Sequence, residues 1–453
     1  MDLSLRFLGA AGTVTGSRYL LRCGATHLLI DCGLFQGVKN LRQRNWRPLP
    51  FDAARIDAVL LTHAHLDHSG YLPRLLREGF HAPVYCTAAT RALAQILLPD
   101  SAHLQEEDAR RANRYGYSRH HPAEPLYTAQ QAQQALALLR PAPYYHSLRI
   151  GEARVRFTPA GHILGAACVQ IEAGGRVVTF SGDLGRPHDP VMRPPEALTR
   201  ADYLILESTY GDRLHPQTDV KATLASIINE TFARGGLLMI PAFAVGRAQD
   251  LLHLLTGLRT EGAIPAVPIY LDSPMAIDVT ELFIRFHREH RLSREQCEAM
   301  ARAVIYVRDQ EASRRLGGNR APKIIIAGAG MLTGGRILHH LRSFGADHRN
   351  TLLITGYQAP GTRGAALLAG ADTLRIYGED VPIRCAVAAI DELSAHADYA
   401  EISQWLSHFQ DAPRTVFLTH GEPAAADHLR GVVQRRFGWN ALVPELGQEF
   451  ALD

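Results

Sequence analysis

The chain has 453 residues, a formal charge of +3 and 46% hydrophobic residues. That length suits two domains with ample cores, and so small a net charge excludes a global field made for capturing polyanions. Six scattered cysteines with no Cys-x-x-Cys pair exclude a disulfide scaffold and point to reduced thiols in the cytoplasm.

The N-terminus, Met1-Asp2-Leu3-Ser4-Leu5, has neither a basic stretch nor a long apolar one, so no signal peptide is expected. Apolar runs such as 323–328 are too short to span a membrane. Residues 3–9 alternate as a strand, and 17–22 with 26–30 form a hairpin whose second strand ends at Asp31. Residues 56–62 read as a buried strand that delivers His63-Ala64-His65-Leu66-Asp67-His68 onto a loop, ahead of the helical pattern 71–76. Imidazole with carboxylate suits zinc, and imidazole also suits iron or nickel. His63 and His65 alternate off the strand end and can share one face. Asp67 and His68 come one step later and can serve a second ion. A surface histidine cluster without a metal would seldom end a buried strand or include an aspartate.

Residues 87–98 and 101–113 read as two helices, with a third at 128–139. The segment 110–121 interleaves arginine, tyrosine and histidine. A nucleic-acid strand is one partner for it, and a solvated helix end is the plainer reading. Strands at 154–159, 176–181 and 203–206 precede His162, Asp183 and Glu207, with a further strand at 168–172. Asp31, His63, His162, Asp183 and Glu207 thus each follow an apolar strand and stand beside glycine, serine or threonine. Any one alone would be a turn residue. Five together, from strands ending on one edge of a sheet, make a dinuclear metal site the better expectation.

After Glu207 the pattern alternates: helix 220–232, strand 237–240, a helix to 255, strand 268–271, helix 277–290, and strands 323–327 and 351–355. This predicts a second α/β unit with a mostly parallel sheet. Its glycine-rich strand ends can hold phosphates on backbone N–H groups, although none has the spacing of a nucleotide P-loop. The chain then returns to ligand chemistry. A strand at 385–390 precedes Ser394-Ala395-His396-Ala397-Asp398, and another at 415–418 precedes Thr419-His420-Gly421-Glu422, before a helix at 424–437. His396 and His420 join the earlier set if this segment folds back onto the first domain.

These motifs resemble the metallo-β-lactamase superfamily and, more narrowly, its β-CASP nucleases. The superfamily signature H-x-H-x-D-H stands as His63 to His68. Glu207 in Glu207-Ser208-Thr209-Tyr210-Gly211, the Ser394 to Asp398 motif and His420 match the β-CASP additions. The resemblance covers essentially the whole chain. It implies an α/β fold: a metallo-β-lactamase αββα sandwich in residues 1–209 and 379–453, with an inserted α/β β-CASP domain at 210–378. No KH-like domain precedes the first strand, so the minimal two-domain form is expected.

The resemblance also implies two Zn2+ per chain. His63, His65, His162 and Asp183 would hold one, and Asp67, His68, His420 and the bridging Asp183 the other, with Asp31 orienting ligands from behind. Asp67 would also orient the attacking oxygen. His396 would protonate the leaving oxygen or hold the phosphate, with Glu207 fixing its tautomer. Arg247, Ser273 and Arg336, at strand-to-helix turns, are expected to hold the RNA strand beneath a β-CASP lid. The implied activity is zinc-dependent hydrolysis of single-stranded RNA in processing or decay, cutting internally, from the 5′ end, or both. The expected setting is cytoplasmic with no membrane partner, and a homodimer is left open. His420, where DNA-repair members carry valine, favours RNA. The rivals are a DNA nuclease of the same fold, a small-molecule metallo-hydrolase and a non-catalytic RNA-binding partner.

Overall fold

The strand Leu3–Phe7 buries Leu3, Leu5 and Phe7 and turns Ser4 and Arg6 toward solvent. Period-two alternation of this kind gives a strand one apolar face. In this computed structural model, which describes residues 2–116, 118–216, 218–356, 358–359 and 361–453, such strands assemble two units. One runs to Leu214 and resumes at His396, and the other is His215–Ala395.

The first unit stacks two sheets. The first sheet orders its strands Glu449–Ala451, Leu3–Phe7, Tyr19–Cys23, Thr26–Ile30, Ala58–Leu60, Val84–Cys86 and Leu139–Pro141. The second orders them Ala441–Leu442, Thr415–Thr419, Tyr203–Glu207, Arg176–Phe180, Ala167–Ala173, Ala153–Pro159 and Ser147–Ile150. Their inner faces share one core in which Leu5, Phe7, Leu21 and Leu28 meet Val155, Val169, Ile205 and Phe417. The Phe7 ring packs against Phe417 at 5.2 Å and edge-on to Tyr19 at 5.9 Å. Each such buried side chain stabilises the fold by about 1.5–3 kcal/mol. The outer face of the first sheet, through Leu20, Leu29, Val59 and Leu61, packs on helix residues Leu72, Leu75, Ala94, Leu98 and Ala132. The outcome is the expected αββα layering.

The site residues were expected on one edge of one sheet. They come instead from two sheets that face each other. Thr26–Ile30 and Ala58–Leu60 run parallel in the first sheet and deliver Asp31 and His63. Arg176–Phe180, Tyr203–Glu207 and Thr415–Thr419 run parallel in the second and deliver Asp183, Glu207 and His420 at a common edge. Ala153–Pro159, antiparallel to a strand that is antiparallel to Arg176–Phe180, delivers His162 there too.

Two further expectations change. Residues 87–113 form one helix, Ala88–Tyr115, with Pro99 inside it. A proline costs a helix interior a hydrogen bond and a steric clash. Burial of Ala94, Leu98 and Ala102 in one core on both sides of Pro99 outweighs that cost. The return to the first domain was expected at 379. Ala386–Ile390 instead pairs parallel with Thr351–Thr355, and the second unit closes only at Ala395. An apolar strand fits either sheet, and its partner lies outside the local sequence.

The second unit carries a parallel sheet in the order Ile305–Tyr306, Ile269–Asp272, Ile324–Ala327, Leu238–Pro241, Thr351–Thr355, Ala386–Ile390. Its two faces pack separate helix layers, which explains the near-continuous apolar runs of its strands. Among the described residues no helix is long and apolar enough to cross a membrane.

Candidate metal centre

His63 follows the strand Ala58–Leu60, and the short helix Leu66–Ser69 carries Asp67 and His68. A loop straps this helix from behind. Cys32 N–H donates to His68 O at 2.7 Å, Leu34 N–H to Leu66 O at 2.8 Å and Ser17 N–H to Asp67 O at 2.8 Å. Gly33 permits the approach, since a Cβ there would stand 1.6 Å from Asp67 O. Buried Arg18 closes the strap by donating to Gly33 O at 2.8 and 2.9 Å, its guanidinium 3.8 Å above the Tyr71 ring.

Asp31 adopts φ 57°, a left-handed conformation that aspartate tolerates better than most residues. Its carboxylate accepts from Thr62 N–H at 2.8 Å, from the Thr62 hydroxyl at 2.9 Å and from His68 Nδ1 at 2.8 Å. That last bond fixes the His68 tautomer and turns Nε2 inward. Thr62 Oγ1 stands 3.1 Å from His63 Nδ1 and does the same for His63. Thr209 Oγ1, 3.1 Å from His420 Nδ1, does so for His420, itself at φ 50°. Sequence reasoning named Asp31 and missed Thr62, Thr209 and Ser17. The signal was adjacency, because Thr62 precedes His63 and Thr209 follows Glu207 by two.

The inward atoms form two groups. His63, His65, His162 and Asp183 make the first, and Asp67, His68 and His420 the second. In the first, His65 Nδ1 is 3.2 Å from His63 Nε2 and 3.2 Å from His162 Nε2, and Asp183 Oδ2 is 3.4 Å from His63 Nε2 and 3.6 Å from His162 Nε2. In the second, His420 Nε2 is 3.1 Å from His68 Nε2 and 3.3 Å from Asp67 Oδ2. The other Asp183 oxygen, Oδ1, lies 3.3 Å from His68 Nε2, so each oxygen faces one group.

The donor set fits metal ions. Four donors held at about 2.0–2.1 Å around one tetrahedral ion stand roughly 3.3–3.4 Å from one another, close to the spacings found. Asp183 Oδ1 is buried and has no well-aligned hydrogen-bond donor among the described residues, a costly state for a carboxylate unless a cation meets it. Burial alone would raise the Asp183 pKa, but His420, His68 and His63 pull it well below the usual range. Burial pushes His65 down to about 4 and leaves it neutral, as a ligand must be.

Beside this cluster, and within reach of Asp183, lies the pair Glu207 and His396. Glu207 accepts from Leu184 N–H at 2.7 Å and Thr209 N–H at 3.2 Å, and its two oxygens stand 3.1 and 3.2 Å from His396 Nδ1. The His396 ring lies 4.4 Å from that of His162 and 6.0 Å from that of His420. Ala397 N–H donates to Leu184 O at 2.8 Å, and Asp398 caps the helix Tyr399–Leu406 with Glu401 answering it. These bonds fix the backbone on which His396 sits. Burial lowers the His396 pKa, but the Glu207 charge, with Asp183 and Asp67, raises it to about 9.

The remaining sequence candidates lie in the second unit, where Ser273 and Arg247 bond close to their own turns and Arg336 ties its turn to distant strand ends. Ser273 caps the helix Pro274–Arg285 through Ala276 N–H. Arg247 Nη1 pairs with Asp250 at 3.2 Å. Arg336 donates to Asp272 at 2.7 Å and to the carbonyls of Val307 and Arg308.

Comparison with known proteins places three family profiles on the chain: the metallo-β-lactamase superfamily over residues 11–226, the β-CASP domain over 248–367, and the RNA specificity domain of zinc-dependent metallo-hydrolases over 380–444. Ribonuclease TTHA0252 of Thermus thermophilus is 41% identical over 423 residues, covering 91% of this chain and 92% of its own. Transcription termination factor FttA of Methanosarcina mazei is 31% identical over 451 residues, covering 95% of this chain and 68% of its own. A crystal structure of a protein of unknown function from Enterococcus faecalis superposes over the full length of both chains with a TM-score of 0.55 at 14% identity, which supports the fold alone.

Proposed function

The chain belongs to the β-CASP branch of the metallo-β-lactamase superfamily, and from that premise we propose that it is a two-zinc ribonuclease hydrolysing phosphodiester bonds of single-stranded RNA. His63, His65, His162 and Asp183 would hold one zinc, and Asp67, His68, His420 and the second oxygen of Asp183 the other. Bound zinc supplies Lewis-acid charge that activates water and offsets the charge gained at phosphorus.

The observation that carries the reading is the Glu207–His396 pair beside the ligand cluster. A small-molecule hydrolase of this fold needs the ligands but not this pair. Because His396 Nδ1 is committed to Glu207, the ring's other nitrogen, Nε2, is the one that passes a proton to the leaving oxygen. The buried Glu207 carboxylate at Nδ1 favours the protonated ring. Asp67 serves the opposite need. Burial alone would raise its pKa, but hydrogen bonding to His420 and the charges of His68 and His420 hold it down, so it stays ionised and orients the attacking water as a hydrogen-bond acceptor. RNA as substrate is favoured by the match to an RNA specificity domain over 380–444 and by the 41% identity to a protein named a ribonuclease. The relatives named transcription termination factors make RNA processing or termination the expected setting. Six buried free thiols suit the cytoplasm.

The test combines elemental analysis with digestion of end-labelled single-stranded RNA and DNA. The expected result is two zinc ions per chain and cleavage of RNA. His396→Ala should keep both ions and slow cleavage by about 10²–10⁴-fold. Equal rates in the two proteins would remove His396 from catalysis, and cleavage of DNA alone would overturn the choice of substrate.

A further inference from the structure

The helix Ala88–Tyr115 begins beside the metal centre and ends far from it. At its start, Thr87 caps Thr90 N–H at 3.1 Å, and the Thr87 and Thr90 hydroxyls both donate to Gly165 O, at 2.7 and 2.9 Å, on the loop that follows His162. Its 28 residues make it about 42 Å long at 1.5 Å per residue. Its second half keeps Ala112 buried but exposes its other side: Leu104 is 53% exposed and Tyr115 68%.

The far end is strongly basic. Residues 109–123 contain Arg110, Arg111, Arg114 and Arg119 with His120 and His121, and no acidic residue. The nearest acids, Glu106, Glu107 and Asp108, precede the segment on the helix, where Asp108 lies close enough to feel the Arg111 charge, and Glu124 follows it. Glu106 accepts from Ala129 N–H and Glu107 faces His103 at 3.6 Å. All four arginines are exposed, and none has a carboxylate within ion-pair distance among the described residues. The strand of chain beyond the helix is pinned back against it. The Asn113 side chain donates to Ala123 O at 2.9 Å and accepts from Ala123 N–H at 2.7 Å. That clasp returns the chain to the helix at Ala123, and at the helix end the Arg114 guanidinium lies 5.6 Å from the Tyr115 ring. One cation complements a helix C-terminus. Four exposed guanidinium groups and an exposed tyrosine in one short segment exceed that need and match a phosphate backbone with a base to stack.

We infer that this helix tip is a second contact for single-stranded RNA, which engages substrate long enough to reach it from the metal centre and leaves short substrate untouched. The inference rests on the ribonuclease reading. The site is a binding surface only, and no bond is made or broken there.

The probe is the variant Arg110→Gln/Arg111→Gln/Arg114→Gln/Arg119→Gln, with Tyr115→Ser made separately. Glutamine keeps helix propensity near that of arginine. With metal chelated, fluorescence anisotropy would measure binding of oligoribonucleotides about 8 and about 40 residues long across a salt series. The expected result is a loss of about ten-fold or more in affinity for the long RNA at low salt, and a salt slope shallower by about 2–3. Tyr115→Ser should lower long-RNA affinity with the slope retained. With metal restored, kcat and KM on the short oligonucleotide should stay at wild-type values. Unchanged affinity and slope for the long RNA would overturn the inference, as would equal losses on short and long RNA. Loss of binding to anionic lipid vesicles with RNA binding intact would also overturn it. Failure of the wild type to cut RNA would sink the ribonuclease reading itself, a distinct outcome.

Discussion

Two buried aspartates, Asp183 in the first unit and Asp272 in the second, stand at or just past the carboxyl ends of apolar strands and meet opposite surroundings. Asp272 is closed. It accepts from Arg336 at 2.7 Å, Ser313 at 2.6 Å and His340 at 2.7 Å, with no exposure to solvent. Asp183 is open, surrounded by imidazole nitrogens at 3.3–3.6 Å and with one oxygen lacking a well-aligned donor. A third carboxylate, Glu289, takes neither course. Its Oε2 is buried without a hydrogen-bond partner among the described residues, and burial raises its pKa to about 7. A carboxylate taken out of water must be answered by donors, by a cation or by a proton. The three residues show the three answers, and only the second answer is a site for chemistry.

The comparison is most directly broken at Asp183. Asp183→Asn should take the zinc content from two per chain toward none and make RNA cleavage undetectable, because one residue faces both ligand groups. Two ions and a normal rate in that variant would mean that the groups do not share it.

Arg336→Ala should act on stability. Removing one partner from a buried ion pair costs about 3 kcal/mol, so the second unit should unfold at lower denaturant while zinc content is kept. If stability is unchanged and RNA affinity falls with a shallower salt slope, Arg336 is an RNA contact and not a tie within its own unit.

The smallest effect is expected at Glu289, and it carries a pH signature. Its folded pKa, about 7, lies above the ordinary value of 4.5. The stability it contributes is therefore fully present below pH 4.5 and is lost as pH rises through 7. Glu289→Gln should leave the melting temperature unchanged at pH 4 and raise it by a few degrees at pH 8. A shift of equal size at both values would show that the carboxyl is not protonated in the fold.

Much of the site was legible along the chain. His63 to His68, His162, Asp183, Glu207, His396 and His420 were each marked by an apolar run ending beside a small residue, and the structure brings all of them together. Asp31 was legible for the same reason. The three arginine and serine turn residues had only a position to recommend them, and the structure shows them bonded within their own unit. The two helices read at 87–98 and 101–113 are one, because a local breaker such as Pro99 can be outweighed by burial on both sides of it. The strand Ala386–Ile390 misled the domain boundary, because an apolar strand carries no mark of which sheet it will join.

By itself, then, the sequence determined the ligand types, their order and the strands that carry them, since hydrophobic period and turn chemistry are local properties. Only the tertiary structure decided that two facing sheets, and not one edge, supply the site, and that Thr62 and Thr209 choose the tautomers. It alone showed that Asp272 is closed by donors while Asp183 stays open. Both are aspartates at the ends of apolar strands, and what distinguishes them is the partners brought from other elements, 41–68 residues away for Asp272. Partner distance is set by packing, and packing is a property of the whole chain.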